Sequence, residues 1–82
     1  MGSIEGILES IAELQKDIDE TQAKREQVQM KQMDRIHRGE MTRARTTTSN
    51  ANVDRLNERI VWARGQIKAL KAELKAAEAV NN

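Results

Sequence analysis

From Val53 to Ala77 the apolar residues Val53, Leu56, Ile60, Ala63, Ile67, Leu70, Leu74 and Ala77 recur in alternating steps of three and four. An unbroken heptad of this kind is the stripe a helix presents when it packs lengthwise on another helix. One helix with one stripe has nothing to bury it against. The rest of the chain, or a second chain, must supply the facing surface. A matching stripe opens the chain: Ile4, Ile7, Ile11, Leu14 and Ile18 step in the same way, and Leu8 widens it.

Composition limits how that surface can be built. The 82 residues include one aromatic, Trp62, no proline and 33 % charged side chains, which is the usage of long helices. A scaffold this small rarely gains more than roughly 3–5 kcal/mol from its core. There is no cysteine to staple it. The lone His37 has no paired His or Cys, so no metal is expected. Self-association or a larger partner is the expected remedy.

Local signals place the elements in a single domain over 1–82. Ser3 is a plausible helix cap and Glu5 suits the first turn. His37-Arg38-Gly39 marks a C-terminus, with cations in the last turn and a glycine just beyond. The run Met41 to Asn50, with Thr46, Thr47, Thr48, Ser49 and Asn50 at its end, reads as a turn. Ser49 or Asn50 would then cap a second helix. The expectation is a helix over about 3–38, a loop over about 39–50 and a helix over about 51–80.

Beyond Ile18 the opening stripe decays to Thr21, Arg25, Val28, Gln32 and Arg35, while Met30, Met33 and Ile36 form a shifted apolar patch expected to pack in the core. Ile18 and Val53 are five whole heptads apart, so one continuous helix would also keep phase. It would place Arg25, Gln32, Gly39 and Thr46 in its seam, and an antiparallel hairpin is favoured. Charge agrees. Residues 1–20 carry six carboxylates against Lys16, and residues 64–75 carry Arg64, Lys68, Lys71 and Lys75 against Glu73. A hairpin sets these segments side by side. Its register would oppose Ile18 to Ile67, Leu14 to Leu70 and Ile11 to Leu74, or lie seven residues away. The fold class is all-α: an antiparallel two-helix hairpin of coiled-coil type, assembling into a helical bundle as an oligomer.

The second helix carries another stripe opposite its seam, Trp62, Gly65, Ala69, Ala72, Ala76 and Ala79. Alanine is simply the best helix former on an exposed face. Small residues also let another backbone come close, and tryptophan is enriched among residues that dominate interface energy. Ile4, Ile7, Leu8, Trp62, Gly65, Ala69, Ala72 and Ala76 are the candidate partner or oligomer interface. Residues 24–45 hold seven cations against three carboxylates. Arg35, Arg38, Arg43 and Arg45 are the candidate nucleic-acid contacts. No aromatic lies among them to stack on bases, so that reading is second.

No catalytic residue is expected. There is no Cys nucleophile and no second His, and the four glycines are too scattered to cradle a phosphate. Neither a cofactor nor a small-molecule substrate is implied. No run approaches the ~20 apolar residues of a membrane span, and the N-terminus lacks the basic and apolar regions of a secretory signal. The absence of cysteine suits a reducing, cytoplasmic setting. The expectation is a non-enzymatic structural or adaptor protein whose partner is itself, a dimer being favoured, or a larger protein. The alternatives are a nucleic-acid-associated protein using a basic hairpin tip, and a small inhibitor or chaperone docking on a larger protein. Small size and sparse motifs also suit a protein of a phage or other mobile element.

Overall fold

The structure is a computed structural model that describes residues 4–81. Two helices, α1 over Ile4–His37 and α2 over Arg43–Asn81, pack against each other as an antiparallel hairpin. Among the described residues there is no strand. The rod measures 62 × 15 × 14 Å, with a radius of gyration of 18.4 Å. A compact chain of this length would have about 12 Å. The expected Ser3 cap lies outside the described residues.

The turn is far shorter than the threonine-rich run suggests. α1 ends at His37, and Gly39 takes φ +70°, the left-handed conformation that glycine adopts without steric cost. The Gly39 amide donates to the Ile36 carbonyl at 3.1 Å and the Glu40 amide to the Arg35 carbonyl at 2.8 Å. This paired pattern satisfies carbonyls the helix end would leave open. Thr42 then caps α2: its Oγ1 accepts from the Arg45 amide at 3.2 Å.

The second helix therefore starts at Arg43, well before the expected position 51, and the expected loop over 39–50 shrinks to residues 38–42. The reason lies in the threonines. Thr46, Thr47 and Thr48 each donate their hydroxyl to the carbonyl four residues back, at 3.0, 2.9 and 3.0 Å. Their polar groups are satisfied inside a helix, so the run need not break it. Ser49 is no cap. It is buried in the seam and donates to Gln32 Oε1 at 3.2 Å.

Burial follows the heptads on both helices. On α1 the buried or half-buried series is Ile4, Ile7, Ile11, Leu14, Ile18, Thr21, Arg25, Val28 and Gln32; on α2 it runs from Thr46 through Ser49 and Val53 to Ala77. The seam of α1 thus continues past Ile18 in polar residues. They are accommodated because they find partners: Arg25 Nη1 donates to Asn57 Oδ1 at 2.8 Å, and the Thr21 hydroxyl to the Asp17 carbonyl at 2.7 Å. Met30, Met33 and Ile36 do not join the core. All three are exposed, Met30 at 72 %, because the seam keeps its original face.

Register is read from the cross-helix bonds. Gln32 faces Ser49, and stepping by heptads sets Ile18 against Ala63 and Ile11 against Leu70. This lies between the two expected registers. Ile18, Ile60, Ala63 and Ile67 form one cluster, with Ile11 and Leu14 packed on it. Ala63 is 0 % exposed, Ile60 2 % and Ile18 3 %. Burial is deepest where a small residue lets the helices close on each other. Pairing large residues with large ones would hold them apart at that point.

Candidate interaction surfaces

The outer face of α2 is left unused by the hairpin. Trp62 is 58 % exposed and Val61 beside it is exposed too. Gly65, Ala69, Ala72 and Ala76 are exposed along the same stripe. A Cβ placed on Gly65 would meet nothing within 4 Å. Within one chain, no close approach requires that glycine. Leu8, also expected at an interface, is 49 % exposed. Ile7 is buried and Ile4 half-buried by the hairpin itself, because both occupy seam positions.

The acidic opening of α1 does run beside the basic stretch of α2. One ion pair closes between the helices among the described residues: Arg59 donates through Nε to Asp17 Oδ2 at 3.0 Å and through Nη2 to Oδ1 at 2.9 Å. This two-pronged bond holds the Asp17 carboxyl below its ordinary value, against a smaller opposing effect of burial. Arg64, Lys68, Lys71 and Lys75 make no ion pair with Glu5, Glu9 or Glu13. Those carboxylates sit on outward positions of their heptads, away from the flank where the helices meet.

At the turn end the four candidate arginines separate. Arg38 pairs with Asp34 at 3.3 Å. Arg45 donates through Nη1 to the Glu40 carbonyl at 3.0 Å. Arg35 and Arg45 line a groove between the helices together with Lys31, Thr48 and Asn52. Arg38 and Arg43 do not line it. A second depression, bordered by Lys24, Lys31 and Arg55, shares Val28, Lys31 and Asn52 with the first. Lys24, Lys31 and Arg38 are seven residues apart, as are Arg45 and Asn52. That spacing is the signal that points to Lys24 and Lys31 on one flank of the seam.

Among the described residues no group of three or more His, Cys, Asp or Glu side chains gathers in metal-binding range. Among the described residues no helix is long and apolar enough to cross a membrane. No protein-family model, curated protein or solved structure matches the chain.

Proposed function

We propose that this chain is a non-enzymatic structural or adaptor protein that acts by pairing with a second copy of itself, two coiled-coil hairpins joining in a four-helix bundle. The observation that carries this reading is the uncovered outer stripe of α2, anchored by Trp62, on a rod with little core. The chain exposes 6527 Å², whereas a compact monomer of 9.3 kDa exposes about 5000 Å². Pairing through Trp62, Gly65, Ala69, Ala72 and Ala76 would cover apolar surface that the hairpin leaves in water. The small residues would let the two α2 helices approach closely, with Trp62 as the large apolar anchor at one end of the stripe.

Sedimentation equilibrium at micromolar concentration tests the proposal. The expected mass is a multiple of 9.3 kDa, a dimer being favoured. A stable monomer would overturn it. A monomer recovered from its native host with one stoichiometric partner would select the docking of a larger protein instead.

A further inference from the structure

We infer that the groove at the turn end of the hairpin is a binding track for the sugar–phosphate backbone of a nucleic acid strand. The two contiguous depressions are lined by five cations, Lys24, Lys31, Arg35, Arg45 and Arg55, and no carboxylate lines either one. All five side chains are exposed. Lys31 and Arg35 are four residues apart on α1, where like charges repel within the helix. Arg35 sits where the α1 heptad calls for an apolar side chain. The sequence thus gathers positive charge that the fold does not neutralise. Asp34 is paired with Arg38, and among the described residues no salt bridge reaches any of the five cations.

The shape of the site selects a linear polyanion. Lys24 and Arg35 are eleven residues apart on α1, about 16 Å along the helix axis. That length exceeds the reach of one phosphate group and suits successive phosphates of a single strand lying along the cations. Apart from Val28, Ala44 and Leu56 the lining is polar. Gln32 accepts from Ser49 through Oε1, which leaves its amide nitrogen to donate. No aromatic side chain lines the groove to stack on a base, so recognition is of backbone and independent of sequence. The groove stops at Leu56 and the α2 stripe begins at Trp62, so the two surfaces can be lost separately.

The test is fluorescence anisotropy of the full chain with a labelled single-stranded oligonucleotide, across about 25–200 mM salt. Affinity should fall with salt with a logarithmic slope of about −3, as four or five phosphate contacts on a single strand require. The double variant Lys31→Ala/Arg45→Ala should weaken binding about tenfold or more and make the slope shallower by about 1–2. The double variant Arg38→Ala/Arg43→Ala removes the same charge outside the groove and should leave the slope in place. Circular dichroism should find both variants as helical as the parent. Absence of binding at the lowest salt would overturn the inference, as would equal weakening by the two doubles. Binding of heparin with none of the oligonucleotide would overturn it as well.

Discussion

At the scale of single residues, the heptad positions and their neighbours should respond very differently. Ile60 is almost wholly enclosed beside Ile18 and Ala63. Ile60→Ala should cost about 2–5 kcal/mol, since a buried Ile leaves both lost transfer energy and a cavity. For a domain whose total stability is of order 5 kcal/mol, thermal melts should show a sharp fall or outright unfolding. Lys68→Ala, one position beyond the seam residue Ile67, should change stability by no more than about 0.5 kcal/mol. Equal melts for the two variants would refute the seam. Leu70 is half-buried, so Leu70→Ala should fall at the low end of the range. Asp17 offers a pH signature. Arg59 favours its ionised form, so its contribution is complete above the unfolded-state pKa of about 3.9 and is lost as pH falls through the lower folded value. Below about pH 4 the parent should lose stability more steeply than Asp17→Asn, and parallel melting curves would refute the coupling.

At the scale of the elements, the turn is where local chemistry can be tested most directly. Gly39→Ala forces a Cβ into a left-handed backbone and should cost about 1–2 kcal/mol. Thr42→Ala removes the acceptor for the Arg45 amide and should cost about 1 kcal/mol. Both are measured by chemical denaturation, and a neutral result at either would refute the assigned cap. The stop at Gly39 was legible in the sequence because a helix C-terminus carries its own residue signature. The start at Arg43 was not. Thr46, Thr47 and Thr48 have weak helix propensity, and their hydroxyls can serve a turn or fold back on a helical carbonyl; residue type alone does not choose. Here packing chose, since Thr46 and Ser49 continue the α2 heptad and α1 covers them. The stripe of Ile and Leu residues was readable by spacing, and so was its continuation through Thr21, Arg25, Val28 and Gln32, but spacing did not show that its polar positions would be covered. Their partners, Asn57 and Ser49, are defined only once the register is known. The same ignorance hid the groove: the basic centre of the chain was visible, but which cations share a flank depends on register.

At the scale of the whole molecule, Trp62 is a built-in reporter of assembly. As the sole aromatic, 58 % exposed in one chain, it should shift its fluorescence to shorter wavelength as concentration rises and a second copy covers it. Ala72→Glu should hold the emission at its dilute-solution value while circular dichroism stays helical. Concentration-independent emission from the parent would argue against pairing through this stripe. Beyond assembly, the antiparallel layout gives the rod two very different mechanical strengths. Force drawing the Ile4 end of α1 away from the facing end of α2 would load one rung at a time, and the helices would peel apart toward the turn. Force applied along the 62 Å axis at opposite ends of the two helices would load the apolar rungs together in shear. A connector built this way resists a lengthwise pull and yields to a sideways one.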